Sequence, residues 1–320
     1  MQATAVAQPN IALIKYWGKR DLAQNLPAVG SISITLRDLF TRMQVRFDES
    51  LVSDMLAVNG TADERLLPRL SDCLDRVAGT DRPRADIEST CNFPIAAGLA
   101  SSASSFAALT VAAAAAIGDT SDKVGLARLA GRASGSAARS LFGGFVELSN
   151  SDDDIEVREI CRADEWPLKV VVAITATGPK AVGSTEAMEI SRRTSPFYSN
   201  WVSQQERDLD IARAAIAARD FEKLAAVAEH NCLKMHSVMW ASRPPMVYWN
   251  AATMRCLETV RQLQDERVPV FFTIDAGPQV KAVCLPEAAA KVEAALSGTD
   301  GVSDVMVTAL GEGARLEPAT

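Results

Sequence analysis

Apolar residues recur along this chain with two different periods. Residues 31–36 and 41–47 alternate apolar and polar side chains, the period of a strand with one buried face. Residues 3–17 read as extended and end in a turn at Gly18-Lys19-Arg20-Asp21. Segments 85–91 and 145–148 are strand-like, and 169–174 is an unbroken apolar run of the buried-strand type. Further strands are predicted at 268–274, 280–285 and 305–310. Helical spacing covers 63–78, 102–117, 122–131, 184–193, 195–218, 220–239, 248–266 and 286–296, with Ser121 placed to cap the helix at 122. There is no internal repeat and no low-complexity linker. Strands and segregated helices in this mixture predict an α+β protein of two domains, 1–165 and 166–320, with a cleft between them.

Composition agrees with a globular chain: 320 residues, 48% apolar and 23% charged, leave room for two ordinary cores. The net charge of -7 lacks the basic footprint of general nucleic-acid binding, so no nucleic-acid partner is expected. A local basic pocket for a small anion stays compatible with it. Six cysteines stand singly at 73, 91, 161, 232, 256 and 284, without a CxxC pair. They suggest neither a zinc site nor a disulfide framework, but reduced thiols in the cytoplasm. The start of the chain has no basic region followed by a long apolar run, and the apolar stretch 106–117 is too short to span a bilayer. No membrane partner is expected. Asp152-Asp153-Asp154 reads as a solvated turn, since a metal site needs further ligands nearby.

Four segments concentrate polar groups in apolar surroundings. In Asn92-Phe93-Pro94-Ile95-Ala96-Ala97-Gly98-Leu99-Ala100-Ser101-Ser102-Ala103-Ser104-Ser105, a small-residue loop runs into an alanine-rich helix. One reading is a core helix capped by Ser101 or Ser102; the other is a phosphate cradle, with Gly98 admitting close backbone approach and the helix N-terminus facing the anion. In Asn10–Asp21, Lys15 follows four apolar residues and precedes Tyr16 and Trp17. It either snorkels at a strand edge or meets an anion in a desolvated site. Ser134-Gly135-Ser136-Ala137-Ala138-Arg139-Ser140 offers hydroxyls and one arginine, either a linker or a pocket for a carboxylate or phosphate. Asp275 ends the apolar run 271–274 just before a Gly-Pro turn, as a shaper of the loop or a fixed, half-buried carboxylate. His230 and His236 lie six apart on one predicted helix, share no face, and read as helix or core residues. GxSxG, HExxH and the Walker lysine are all missing, which removes support for hydrolase, zincin and P-loop readings.

Taken together these segments resemble the ATP-dependent mevalonate diphosphate decarboxylases of the GHMP kinase superfamily. The likeness runs in order from about residue 5 to about residue 284 and includes Ser31–Leu36, Gly183-Ser184-Thr185, Thr194-Ser195-Pro196-Phe197 and Ile274-Asp275-Ala276-Gly277-Pro278. The loop alone is common to the superfamily; the Lys15-Tyr16-Trp17-Gly18-Lys19 run with the Asp-Ala-Gly-Pro turn is far more specific.

The resemblance implies an N-terminal domain like the second domain of a ribosomal protein, a ferredoxin-like C-terminal domain, and an active site in the cleft between them. It implies ATP and Mg2+ as cofactors, phosphorylation of the 3-hydroxyl of (R)-5-diphosphomevalonate, and loss of phosphate and carbon dioxide to give isopentenyl diphosphate. By the same resemblance Asp275 is the catalytic aspartate, Lys15 supports it, and Arg139 holds the substrate carboxylate. Tyr16, Trp17, Gly18, Lys19, Arg69, Ser134, Gly135, Ser136, Ala137, Ala138 and Ser184 fall on the substrate side. Ser89, Asn92, Gly98, Leu99, Ala100, Ser101 and Ser102 fall on the nucleotide side. A homodimer is implied in the same way.

Two departures stand out: Val29-Gly30 replaces the usual Asn and Ser or Asn before the Ser-Ile-Ser strand, and Ala133 replaces a usual glycine. Three alternatives follow: a decarboxylase of mevalonate 5-phosphate, a mevalonate-type kinase that stops at phosphorylation, and a nucleotide-binding protein without catalysis. Retention of Lys15, Arg139 and Asp275 together speaks for decarboxylation.

Overall fold

The computed structural model describes residues 1–93, 101–178 and 182–318. Gly98, Leu99 and Ala100 therefore lie outside the described residues. The first extended stretch is two strands, β1 (Gln2–Ala7) and β2 (Asn10–Ile14), which enter different sheets. Pro9, with no N–H for a ladder, separates them. The turn expected at 18–21 is instead β3 (Lys19–Asp21), paired with β4 (Leu26–Pro27). The reversal falls between them, where Asn25 takes a φ of 57°.

Next come β5 (Ser31–Thr35), β6 (Thr41–Asp48), β7 (Met55–Val58), β8 (Thr61–Ala62), α1 (Leu67–Ala78) and β9 (Arg84–Cys91). Along β6 buried and half-buried residues alternate throughout, as its pattern predicts. Helices α2 (Ser101–Ala116), α3 (Lys123–Ala133) and α4 (Ala137–Ser140) lead to β10 (Phe145–Asn150) and β11 (Ile155–Cys161). β1 and β6 flank α2 on one side, and α1, α3 and α4 pack on the others. Burial on every face explains its alanine content, since only small side chains let so many elements approach one helix. The cap of α3 is Asp122, which accepts from the Gly125 N–H at 2.7 Å. Ser121, expected in that role, instead donates backbone and side chain to Asp119.

The remaining elements are β12 (Lys169–Ile174), α5 (Ser184–Thr194), α6 (Tyr198–Ala218), α7 (Phe221–Trp240), α8 (Ala251–Asp265), β13 (Val270–Thr273), β14 (Val280–Cys284), α9 (Ala289–Ser297), β15 (Asp304–Ala309) and β16 (Arg315–Leu316). A single 3-10 turn, Pro286–Ala288, opens the stretch predicted as helix from 286.

One sheet runs β16-β1-β6-β9-β7-β8, a second β11-β10-β5-β2 and a third β13-β14-β12-β15. The second sheet shares its core with the C-terminal half. Ile11, Ile32 and Phe145 cluster with Val170 of β12, Leu209 of α6 and Val227 of α7. The chain end also returns to the N-terminal half, where β16 pairs with β1. These connections hold the ends of β2 and β13 side by side: the Thr273 hydroxyl donates to the Ala12 carbonyl at 3.1 Å.

Candidate active site

A β-bulge starts the site. The register of β2 against β5 slips between Ala12 and Ile14, which bends the strand end and re-aims Lys15. Its backbone is clamped on both sides. The Lys15 N–H donates to Asn231 Oδ1 at 2.7 Å, and Gln205 Nε2 donates to the Lys15 carbonyl at 2.7 Å. Asn231 Nδ2 donates in turn to Gln205 Oε1 and to Asp208 Oδ2, which also takes Lys234 Nζ. This buried network from α6 and α7 fixes the backbone from which the lysine side chain projects.

Lys15 is 1% exposed, and its Nζ donates to Asp275 Oδ1 at 2.7 Å. A second lysine faces the other oxygen: Lys281 Nζ of β14 lies 3.3 Å from Asp275 Oδ2 and is wholly buried. Burial raises the Asp275 pKa, but the two ammonium groups overcome this and hold the carboxyl well below the usual carboxylate range. Burial pushes the Lys281 pKa down, and the aspartate opposes it. Behind the aspartate, His236 Nε2 lies 3.1 Å from the Ile274 carbonyl. Burial drives that imidazole down to about 3, so it is neutral.

Arg139 supplies a cation of another kind. It is 2% exposed, yet its partners among the described residues are neutral oxygens: Ser33 Oγ at 3.0 Å, Ser31 Oγ at 2.6 Å and Asn10 Oδ1 at 3.3 Å. Asn10 is itself held, donating to the Ser136 carbonyl and Ser140 Oγ. Burial lowers the guanidinium to about 10, with Tyr16 and Asp275 opposing. A buried guanidinium with polar but uncharged partners is suited to an incoming carboxylate or phosphate.

These groups line one cavity of about 880 Å³, near the upper end of the roughly 300–1,000 Å³ common for small-molecule sites. Lys15, Tyr16, Trp17, Lys19, Arg69, Ser134, Gly135, Ser136, Arg139, Ser184 and Asp275 all reach it, as do Ser89, Ser101 and Ser102. Tyr16 Oη is buried without a hydrogen-bond partner among the described residues, and it lies so close to Gly135 that a Cβ there would come within 2.5 Å. Trp17 is anchored by its indole N–H to Ser191 Oγ. Lys19 donates to the Thr185 hydroxyl, at the first turn of α5. Arg69 stacks 4.9 Å from the Phe106 ring. Burial lowers the pKa values of both Lys19 and Arg69, and Arg69 adds to the effect on Lys19. The starts of α2 and α5 both open on the cavity, and each presents a positive dipole end. Met43, Leu56, Val58 and Leu70 form an apolar niche beside Ser89 and Ser101.

Among the described residues, four expected in the site do not line it. Ala137 and Ala138 are fully buried in the N-terminal core, because the one-turn helix α4 turns them inward to present Arg139. Gly18 packs against Tyr198. Asn92 ties a loop, accepting from the Phe40 N–H and donating to the Asp38 carbonyl. The unusual pair Val29-Gly30 also stands outside the cavity. Val29 joins an apolar cluster with Trp17 and Trp201, and a Cβ at Gly30 would come within 2.8 Å of Leu209 Cδ1. Ala133 does line the cavity. Sequence reasoning missed Lys281, Asn231 and Gln205. Their signal was a polar residue inside an otherwise apolar strand or helix face, which local periodicity treats as noise.

Comparison with known proteins places this geometry. Residues 7–158 match the diphosphomevalonate decarboxylase-like N-terminal domain, and residues 170–315 match the mevalonate 5-diphosphate decarboxylase C-terminal domain. The diphosphomevalonate decarboxylase of Candida albicans is 35% identical over 300 residues, covering 86% of this chain and 82% of that protein. The crystal structure of mevalonate diphosphate decarboxylase from Staphylococcus aureus superposes with a TM-score of 0.93 at 33% identity, covering 99% of this chain and 98% of that one. A solved complex of MDDEF with MVAPP, AMPPCP and magnesium gives a TM-score of 0.92 at 33% identity, covering 100% of this chain and 99% of that one. The fold is the two-domain α+β GHMP fold that the sequence motifs implied. This chain belongs to the diphosphomevalonate decarboxylase family.

Proposed function

We propose that this protein decarboxylates (R)-5-diphosphomevalonate in an ATP-dependent reaction, giving isopentenyl diphosphate, ADP, phosphate and carbon dioxide. The observation that carries this reading is the pairing, in one cavity, of an ionised aspartate with a buried arginine whose hydrogen-bond partners among the described residues are neutral oxygens. Asp275, held ionised by two lysines, suits a hydroxyl that must be oriented and whose proton is released late in phosphoryl transfer. When phosphate departs, positive charge develops at the tertiary carbon, and the same carboxylate has the sign to stabilise it. Arg139 suits the substrate carboxylate, and Tyr16 and Ser136 stand beside it. Lys19 and the first turn of α5 at Ser184 suit the 5-diphosphate.

The nucleotide fits the other end of the cavity. An apolar niche for a base and the start of α2 with Ser101 and Ser102 line the cavity for it, whereas Arg69, which acts on Lys19, suits the substrate side. Among the described residues no group of three His, Cys, Asp or Glu side chains could hold a metal. Magnesium would enter with the phosphates, beside the Ser101 and Ser102 hydroxyls, and would supply charge neutralisation for phosphoryl transfer. The MVAPP, AMPPCP and magnesium bound in the solved relative support this reading.

We also propose a carboxy-lyase whose subunit divides into domains 1–165 and 166–320, with the tail returning to the first sheet, and which works as a cytoplasmic homodimer. The strand pairing of β16 with β1 supports the tail's return, and six buried free thiols suit a reducing compartment. The dimer rests on the family resemblance. Among the described residues no helix is long and apolar enough to cross a membrane.

The test is a steady-state comparison of mevalonate 5-diphosphate and mevalonate 5-phosphate with MgATP, following ADP and carbon dioxide together. Equal release of both from the diphosphate, with a much lower kcat/KM on the monophosphate, is expected. ADP without gas would make it a kinase, and preference for the monophosphate would change the substrate.

A further inference from the structure

Lys281 interrupts an otherwise apolar strand. Its neighbours in β14 are Val280, Ala282, Val283 and Cys284, all buried, and the lysine itself is 0% exposed. A buried ammonium is costly unless an anion meets it. The anion here is the Asp275 carboxylate, which Lys281 meets at Oδ2 while Lys15 meets Oδ1. Lys281 does not line the cavity, so it has no direct route to a bound substrate. Asp275 Oδ2 is closed off from solvent, which leaves Oδ1 as the oxygen able to face the cleft. The other titratable groups packed behind the aspartate are uncharged: burial pushes the Cys232 thiol up and the His236 imidazole down.

We propose that Lys281 is a positioning residue for the reaction, pinning Asp275 Oδ2 from behind so that the carboxylate stays ionised with Oδ1 turned to the substrate. The inference rests on the decarboxylase reading. It separates the two lysines by function. Lys15 reaches the cavity and can follow charge as it develops on the substrate, whereas Lys281 stays with the aspartate throughout. Lys281 supplies Asp275 with a counter-charge that does not depend on Lys15.

A double-mutant cycle of Lys281→Met and Asp275→Asn tests this on the full-length protein, with wild-type turnover confirmed first. A wild-type protein inactive on diphosphomevalonate would overturn the decarboxylase reading, and with it this inference. With an active wild type, Lys281→Met is expected to lower kcat by about tenfold or more while KM for both substrates moves less than about threefold. Lys281→Arg should restore most of the rate. In the Asp275→Asn background Lys281→Met should have no further effect on the residual rate. Thermal midpoints give a readout independent of turnover. Asp275→Asn leaves two buried ammonium groups facing a neutral amide, so adding Lys281→Met should raise the midpoint of Asp275→Asn. If Lys281→Met does not fold, Lys281→Gln carries the same comparison. A wild-type kcat in Lys281→Met, or an equal loss of rate in both backgrounds, overturns the inference.

Discussion

Tyr198 rests against Gly18 so closely that a Cβ at position 18 would overlap the tyrosine hydroxyl. Gly18 also carries a φ of +101°, a conformation that L side chains rarely adopt. The two constraints lock the segment holding Tyr16, Trp17 and Lys19 onto the start of α6. Gly18→Ala should therefore misplace Tyr16 and Lys19 without touching the chemistry. The expected result is a rise of about tenfold or more in KM for the mevalonate substrate, with about 1–3 kcal/mol lost from stability through backbone strain. Steady-state kinetics with urea unfolding measures both.

Asp275 is the group on which the proposed chemistry turns. Asp275→Asn keeps its shape and removes its charge, so kcat should fall at least about a hundredfold, the scale of general-base and electrostatic contributions. Substrate affinity, followed by isothermal titration, should change much less. Near-normal turnover would remove Asp275 from its assigned role.

Asn231 acts at one remove, on the backbone of Lys15. Asn231→Ala leaves the buried Lys15 N–H, Gln205 Oε1 and Asp208 short of a partner. Each such loss costs about 1–3 kcal/mol when the group stays buried. Stability should drop by an amount of that order, and kcat should fall because Lys15 no longer meets Asp275 in one fixed geometry. Denaturant unfolding paired with kcat under conditions where the variant is folded checks the two effects separately.

His236 sets a pH dependence of stability. Its ordinary value is 6.5 and the fold lowers it to about 3, mainly by burial. The unfolded chain thus binds a proton that the native state refuses. The contribution is full above about pH 6.5 and is lost as pH falls toward 3, by up to about 1.4 kcal/mol per pH unit for a single site. Asp275 does not oppose this within the window, since its pKa is held well below it. His236→Gln should be less stable than wild type at pH 7.5, and the gap should narrow as pH falls from 6.5 to 4.5. Urea midpoints across that range read it directly; a gap that stays constant would show that His236 does not titrate on unfolding.

What could be read from the chain alone was local. Alternation marked β6, apolar continuity marked β12, and helical spacing marked α6, α7 and α8, because each pattern follows from one face packing against a core. Lys15, Arg139 and Asp275 were conspicuous for the same reason, as charged residues in apolar company. Tertiary structure decided what those residues meet. Residues 260 positions apart form the Lys15–Asp275 contact, and no local pattern encodes it. Only folding shows that Lys281 flanks the same carboxylate, or that Asn231 and Gln205 hold the Lys15 backbone. Only folding turns Ala137 and Ala138 into the core while Arg139, next along the chain, faces the cavity. Residue types and short-range periodicity set which groups carry charge and which surfaces bury. Pairing across sheets and helices sets which charges face each other, and the chemistry of this cavity resides in those pairings.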